Sequence, residues 1–355
     1  MADRSDILSA SLGDYLVLAK PGPQPGQCLQ VLDPLAAWVW RSHQAGLNLE
    51  QIALELTNHF GIPLGQAQND VVCLARSWNE TPASRNWGLR LADRYLVLTV
   101  DDPILADHLG VLLEHLAWPV EGAPDARLHL GGSPSGWYLT RDGDVIAAGQ
   151  GLDAVLVQTR AELIEVGCSV TSRLLVLHAA GVSREGRGIL LIGKGGAGKT
   201  TLATALNARG WALLSDDTIP VTLDGRLLGL GLGPCLKAGS WPVLASYLPD
   251  LGVFPVIRRL GQSVRLPPPP GPRATGPLET SLFLLPSYQP SSTPALHCLT
   301  PVQVLEAILA AESVLPTLDQ TRLSTLTAWV SSAPGYRLIY PDLEAAITLL
   351  DNFRG

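Results

Sequence analysis

A glycine-rich stretch in the middle of the chain has the residue types and spacing of a phosphate-binding loop. Residues 193–200 follow the pattern G-x-x-x-x-G-K-[ST]. Glycines let the backbone curl so that successive N–H groups point at phosphate oxygens, and a helix that begins near Lys199 adds its positive end. Lys199 would reach the outer phosphates, and the Thr200 hydroxyl would ligate Mg²⁺. The expected nucleotide-binding residues are Gly193, Lys194, Gly195, Gly196, Ala197, Gly198, Lys199, Thr200 and Thr201.

A pair of acids follows the loop at a short distance. The apolar run 188–192 predicts a strand before the loop, residues 202–206 predict a helix after it, and 211–214 predicts a second short strand that ends at Asp216 and Asp217. Such a unit forms a right-handed crossover, so the two strands run parallel and the acids reach the edge that holds the phosphates. One acid would hold Mg²⁺ and the other would accept a proton from an attacking hydroxyl. An Asp-Asp turn at a strand end is the alternative.

A histidine precedes the loop on the other side. The apolar run 174–182 predicts a strand that carries His178 near its end, and a turn leads from it into the strand before the loop. An imidazole titrates near neutrality and could orient or polarise a neighbouring aspartate. A structural histidine in an apolar strand is the alternative.

These three pieces together resemble the HPr kinase/phosphorylase family, closely over residues 174–237 and loosely over 94–355. The resemblance implies an α/β P-loop kinase domain of the HPr kinase / PEP carboxykinase type that uses ATP and Mg²⁺ to phosphorylate a serine-type hydroxyl. It implies catalytic roles for Asp216, Asp217, His178 and Lys199, and metal-binding roles for Thr200, Asp216 and Asp217. The glutamate-containing signature of the HPr enzymes is not found in 228–237. Neither HPr as substrate nor the phosphorylase activity is therefore carried over.

Four further cations are candidates for substrate contacts. Lys237 follows a glycine-rich run that could approach nucleotide or peptide, and related kinases make it a candidate phosphate contact; a surface lysine is the alternative. Arg258, Arg259 and Arg265 precede four prolines, which predict an extended segment. These arginines could stabilise transferring phosphoryl charge or recognise an acidic substrate, or they could simply be solvated.

The N-terminal residues predict a separate small unit of two strands and three helices. Residues 15–18 and 28–32 flank a Pro/Gly-rich turn and predict a hairpin, and helices are expected after Asp33, Asn48 and Pro63. A capping box is expected at Asn48, and Ile52, Leu56 and Phe60 fall on one helical face. The order ββααα predicts a winged-helix-like domain.

This unit resembles the PqqD-like peptide chaperones, the recognition elements of ribosomal peptide biosynthesis. The resemblance implies that a leader peptide adds a strand to the hairpin edge, within 15–20 or 28–32, and faces the helix at 64–78. A module used for dimer contacts or for stability is the alternative.

Composition and charge limit the class of protein and its possible partners. A chain of 355 residues with 46% hydrophobic and 16% charged residues is globular, and a net charge of −7 argues against a nucleic-acid partner. Five cysteines without a C-x-x-C pair indicate neither a disulfide framework nor a zinc site. We expect a cytoplasmic protein with no signal peptide and no membrane span. The sequence does not decide whether the protein forms a homo-oligomer.

The expected domains are 1–85 and 86–355, joined by a linker at 81–86, with an upstream subregion at 86–173 and a nucleotide-binding core at 174–355. The upstream subregion is expected to hold a strand at 95–100, helices at 103–117 and 152–173, and a hairpin around Asp142. The core is expected to hold a hairpin around Asp224, a strand at 336–340 and helices at 301–309, 318–330 and 343–353. His108, His115 and His129 lack metal-ligand spacing and are expected to be structural or surface residues.

The sequence therefore predicts an ATP-dependent kinase that acts on a serine or threonine of a ribosomally made precursor peptide, recruited by its leader. Three alternatives stay open: a kinase of an HPr-like carrier protein, a small-molecule kinase, and a nucleotide-gated peptide carrier without transfer activity.

Overall fold

The computed structural model describes residues 7–21, 27–79, 84–120, 122–133, 136–274 and 276–353. The chain divides into two compact units, Met1–Ser84 and Arg85–Gly355. The described residues of each unit form hydrophobic core clusters of their own. The protein is of the α/β class, and its sheets contain both parallel and antiparallel strands.

The first unit begins with a three-stranded antiparallel sheet in the order β1-β2-β3. Its strands are β1 (Leu8–Leu12), β2 (Tyr15–Pro21) and β3 (Gln27–Leu32). The hairpin of β2 and β3 is confirmed, while its Pro/Gly-rich turn at 22–26 lies outside the described residues. Strand β1 was not predicted. Because β1 pairs with β2 along its length, the expectation of a free edge at 15–20 is wrong, and β3 forms an edge of this sheet.

Three helices follow the sheet, and local capping fixes where the first two begin. They are α1 (Pro34–Gln44), α2 (Leu49–Phe60) and α3 (Leu64–Asn79). Asn48 and Gln51 form the expected capping box, with each side chain bound to the other residue's backbone N–H at 2.9 Å. Ile52 and Leu56 are buried, but Phe60 is 51% exposed. Its ring makes a T-shaped contact with the Trp38 ring, with the ring centroids 5.6 Å apart.

The upstream part of the second unit is a six-stranded sheet in the order β6-β4-β5-β7-β8-β9 with two helices. The elements are β4 (Arg85–Leu91), β5 (Arg94–Val100), α4 (Pro103–Leu113), β6 (Ala117–Trp118), β7 (Ala126–Ser133), β8 (Gly136–Arg141), β9 (Asp144–Gly149) and α5 (Leu152–Cys168).

Three strands of this sheet, β4, β6 and β7, were not predicted. The helix expected at 103–117 ends at Leu113, and β6 begins at Ala117. Strand β4 begins at Arg85, so the linker expected through residue 86 is shorter, and its residues 81–83 lie outside the described part. Strand β7 pairs in parallel with β5 and antiparallel with β8. The helix expected through 173 ends at Cys168, where Ser169 takes a left-handed φ of 44°.

The second sheet of this unit is also six-stranded, in the order β13-β11-β12-β18-β20-β19. Its strands are β11 (Ala179–Arg184), β12 (Arg187–Ile192), β13 (Ala212–Ser215), β18 (Thr280–Tyr288), β19 (Ala295–Leu299) and β20 (Gly335–Tyr340). Strand β11 is antiparallel to both β12 and β13. Strands β12 and β13 therefore run parallel, as the crossover predicted, but with β11 between them. Strands β18 and β19 were not predicted.

Among the described residues of this unit, the remaining strands form two small sheets, and five further α-helices follow. They are β10 (Leu175–Leu177) paired with β14 (Ile219–Val221), the sheet of β15 (Leu236–Lys237), β16 (Ile257–Arg259) and β17 (Gln262–Arg265), and the helices α6 (Lys199–Ala208), α7 (Trp241–Leu244), α8 (Pro301–Ala310), α9 (Gln320–Ser331) and α10 (Leu343–Asn352).

Two strand predictions near the loop need correction. The single strand expected at 174–182 is two strands in different sheets, β10 and β11, with His178 between them. The hairpin expected around Asp224 keeps its turn. Among the described residues its second arm pairs only at Leu227, through isolated bridges to Val221 and Leu278, and residues 228–235 form no strand. Within the described ranges, no helix has both the length and the apolar character needed to span a bilayer.

Candidate functional site

The glycine-rich loop connects β12 to α6, and two of its glycines have backbone conformations that other residues avoid. Gly196 and Gly198 both have φ of 85°, in the left-handed region. A Cβ on Gly198 would also lie 2.8 Å from the Tyr340 hydroxyl oxygen. Tyr340 is buried at the end of β20, and burial raises its pKa to about 12. This neutral hydroxyl against the loop was not predicted from the sequence.

Lys199 is the first residue of α6 and folds back onto the loop. Its ammonium donates to the carbonyl oxygens of Gly193 at 2.6 Å and Lys194 at 3.3 Å, and the residue is 6% exposed. Burial lowers the pKa of this amine, while the charges of Asp217 and Asp216 raise it. The Lys199 side chain is therefore held against the loop, and its charge interacts with both acids.

Asp216 lies directly after β13 and is almost completely buried, at 2% exposure. Its Oδ2 accepts a hydrogen bond of 2.9 Å from the Cys235 N–H. Burial raises the pKa of this carboxyl, as does the neighbouring charge of Asp217, whereas the Cys235 N–H and the Thr200 hydroxyl lower it. Ionising this carboxyl therefore costs free energy unless a further positive charge lies beside it.

The second oxygen of Asp216 identifies a candidate metal ligand. Oδ1 is buried and makes no hydrogen bond of good geometry within the described residues, although the Thr200 hydroxyl is near enough to lower the pKa of the carboxyl. A buried acceptor without a well-aligned donor calls for a further partner. An anionic oxygen beside the hydroxyl of Thr200 matches the oxygen ligands that Mg²⁺ prefers, with the remaining positions left to phosphate and water. These two residues therefore fit the expected Mg²⁺ site.

Asp217 differs from Asp216 because it is partly exposed and flanked by two basic side chains. Its Oδ1 lies 3.4 Å from Nδ1 of His178, and its Oδ2 lies 3.8 Å from a guanidinium nitrogen of Arg259. The side chains of His178 and Asp217 are 34% and 30% exposed. Asp217 also has a left-handed φ of 76°. Strained backbone of this kind is concentrated at functional sites.

Only one of the three arginines singled out in the sequence is brought to the acids. Arg259, at the end of β16, contacts Asp217 and also donates to the Cys235 Sγ at 3.4 Å. Arg258 instead donates from its side chain to Ser263, and its backbone N–H bonds to Asp153. Arg265 donates to the Leu251 carbonyl and stacks over the Trp241 ring at 4.7 Å.

Lys237 lies on β15, is exposed, and lowers the pKa of Lys199 through its charge. The glycine-rich run before it was expected to approach a ligand. Two of its glycines instead approach the protein's own backbone, since a Cβ on Gly229 would lie 2.7 Å from the Leu214 oxygen and one on Gly233 would lie 2.0 Å from the Pro267 oxygen. This packing brings the Cys235 N–H to Asp216.

The contributions of Cys235 and Arg160 were not predicted from the sequence. The charge of Arg160, on α5, interacts with Asp216 and Asp217. No spacing pattern links Arg160 to the acids, because it belongs to the upstream part of the unit. His115 and His129 bind elsewhere, to the Gly231 oxygen at 3.0 Å and to Asp101 at 2.7 Å.

No group of three or more His, Cys, Asp or Glu side chains in the described part of the chain is arranged to hold a metal ion. Comparison with models of known protein families gave no match, and a search of curated proteins gave none either.

Proposed function

We propose that this protein is an ATP- and Mg²⁺-dependent kinase that phosphorylates a serine or threonine of a ribosomally synthesised precursor peptide. The observation that carries the proposal is the juxtaposition of a glycine-rich loop and its buried lysine with two aspartates in different environments. Asp216 is buried with one unpaired oxygen, and Asp217 is accessible and flanked by His178 and Arg259.

The two environments support different roles for the two acids. Asp216 and Thr200 would hold Mg²⁺, which when bound neutralises phosphate charge. The loop N–H groups and Lys199 would hold the nucleotide phosphates, and Lys199 would exchange its present carbonyl partners for phosphate oxygens. Asp217 is the candidate base because it is exposed to an incoming hydroxyl, whereas Asp216 is not.

In the proposed transfer, Asp217 accepts the proton of the acceptor hydroxyl. The acceptor oxygen forms a bond to the γ-phosphorus, and the bond from that phosphorus to the bridging oxygen breaks. ADP leaves with the electron pair of that bond, and the proton stays on Asp217 until it passes to solvent. His178 would orient the Asp217 carboxylate, and Arg259 would offset charge on the phosphoryl group.

The first unit supports a peptide as the acceptor. Its sheet ends in β3, an edge strand that could pair with an extended leader peptide. A peptide held there would reach the second unit at a raised effective concentration, so the site itself would need little sequence selectivity.

Phosphate transfer from γ-labelled ATP to precursor peptides encoded beside this gene tests the proposal. The full chain is compared with residues 85–355 alone, a unit that has core clusters of its own, and with Asp216→Asn and Asp217→Asn. Label that requires both the first unit and the acids supports the tethered kinase. Label that ignores the deletion indicates a carrier-protein or small-molecule kinase, and nucleotide binding without transfer to any acceptor indicates a peptide carrier.

A further inference from the structure

Arg160 interacts electrostatically with the acid pair and belongs to a different element from Arg259. It lies on α5, in the upstream part of the second unit, whereas Arg259 lies on β16. The charge of Arg160 interacts with Asp216 and Asp217, and also with Cys235 and Arg259. Two arginines that are distant in sequence therefore interact electrostatically with the same two carboxylates.

The two arginines differ in their partners. Arg259 is close to Asp217, at 3.8 Å, and to the Cys235 sulfur. For Arg160, the part of the chain that the structure describes supplies neither a hydrogen bond to the guanidinium nor a carboxylate within 4 Å. The side chain is half-buried, and burial lowers the pKa of its guanidinium. None of its nitrogens is among the fully buried polar atoms that lack a partner in the described ranges, so solvent reaches the guanidinium and an anion could bind there.

The surroundings of Arg160 offer it little else to bind. It lines a small cavity with Thr159, Leu232 and Gly233, and the other walls of this cavity are mainly leucines. Thr159 is 1% exposed, and its hydroxyl also makes no hydrogen bond with the described residues. Leu232 and Gly233 belong to the segment that carries the Cys235 N–H to Asp216. Arg160 is thus packed against the segment that contacts the acid pair.

We propose that Arg160 binds a phosphate group beside Asp216 and Asp217, as a further residue of the transfer site. This inference rests on the proposed kinase function. A planar guanidinium can donate two parallel hydrogen bonds to phosphate oxygens, which suits this role better than an ammonium. The phosphate has two sources, the γ-phosphate of the nucleotide before transfer and the phosphate on the acceptor after it.

Calorimetric titration of the full chain tests the inference without relying on transfer. The ligands are ADP, a non-hydrolysable ATP analogue, and O-phosphoserine added to the ADP complex, all with Mg²⁺. The variants are Arg160→Gln, Arg160→Lys, and Arg187→Gln as a control on an exposed residue of β12. We expect Arg160→Gln to leave ADP affinity within about twofold and to weaken the analogue or phosphoserine about tenfold or more. Arg160→Lys should give an intermediate loss, because it keeps the charge but not the paired donors.

The ligand whose affinity falls, the ATP analogue or O-phosphoserine, identifies the source of the phosphate. A loss of affinity for either ligand supports the inference. Equal affinities in wild type and Arg160→Gln for all three ligands would overturn it. A loss of ADP binding together with a lowered Tm would overturn it as well, because this result indicates a structural role. A protein that binds the analogue through Arg160 but transfers nothing would contradict the kinase function alone, and a wild type that binds none of the ligands would contradict both.

Discussion

Nδ1 of His178 lies 3.4 Å from Oδ1 of Asp217, although the two residues come from different elements. His178 lies at the break between β10 and β11, and Asp217 follows β13. They meet because β13 pairs with β11 rather than directly with the strand before the loop. The pairing of these strands therefore decides which aspartate has a histidine beside it.

Asp217→Asn should slow transfer strongly but preserve nucleotide binding. If Asp217 is the base, loss of its carboxylate should lower the transfer rate about 10²- to 10⁴-fold, while the affinity for ADP should change little. Single-turnover transfer and ADP titration measure the two effects. Asp250→Asn, at an exposed acid, is the control. Transfer at the wild-type rate in Asp217→Asn would remove this residue from the proposed role.

Asp216→Asn should raise the thermal stability of the protein without Mg²⁺ at pH 7. The pKa of Asp216 is raised on folding, so between its ordinary pKa and the raised one the folded state binds more protons, and stability falls as the pH rises. An amide avoids this cost and can still accept from the Cys235 N–H. Each kcal/mol gained should raise Tm by about 2–4 °C in a unit of this size. A lower Tm than wild type, with Asp250→Asn unchanged, would contradict the argument.

His115 should make the second unit less stable in mild acid. Burial lowers its pKa to about 4 from an ordinary value of 6.5, and Nδ1 is buried without a hydrogen-bond partner. Below pH 6.5 the unfolded state binds the extra proton first, so stability is lost as the pH falls toward about 4, by roughly 2–3 kcal/mol. His115→Gln, which can still donate to the Gly231 oxygen, should lose this part of the pH dependence. Urea denaturation between pH 7 and 4 compares the two proteins.

Asn48→Ala should destabilise the first unit by about 1 kcal/mol, because Asn48 accepts the Gln51 N–H at the start of α2. Asn48→Ser keeps a capping oxygen and should cost much less. Chemical denaturation followed by helical circular dichroism measures both variants. Equal losses in the two would show that the cap is not the cause.

Gly233→Ala should destabilise the second unit and disturb Asp216. The new Cβ would lie 2.0 Å from the Pro267 carbonyl oxygen, so one backbone segment must move. Gly239→Ala is the matched control, since a Cβ there meets nothing within 4 Å. Thermal denaturation compares the two variants. A Gly233→Ala protein as stable as the Gly239→Ala protein would show that the two segments can separate at no cost.

The features that sequence predicted correctly are governed by neighbours a few residues away. The cap at Asn48 and the end of α2 at Gly61, with φ of 67°, depend on side chains and backbone within one helical turn. The parallel direction of β12 and β13 follows from a short crossover. In these cases the chain leaves few alternatives.

The features that sequence missed depend on pairing between distant segments. Strand β18 is an apolar run with Pro286 inside it, and its place between β12 and β20 is decided by neighbours far along the chain. The insertion of β11 between β12 and β13 has the same origin. Arg160 was missed because its electrostatic interaction with the acids arises only through the tertiary fold.

The left-handed backbone at Asp217 restricts which residue types can occupy this position without strain. Glycine would relax the φ of 76° and asparagine would tolerate it, whereas alanine would add roughly 1 kcal/mol of strain. An alanine variant therefore mixes a backbone penalty with a loss of chemistry. A library selected for stability should become enriched in glycine at residue 217, and one selected for transfer should keep aspartate. The difference in residue frequency between the two selections separates the contribution of the carboxylate to transfer from its effect on backbone strain.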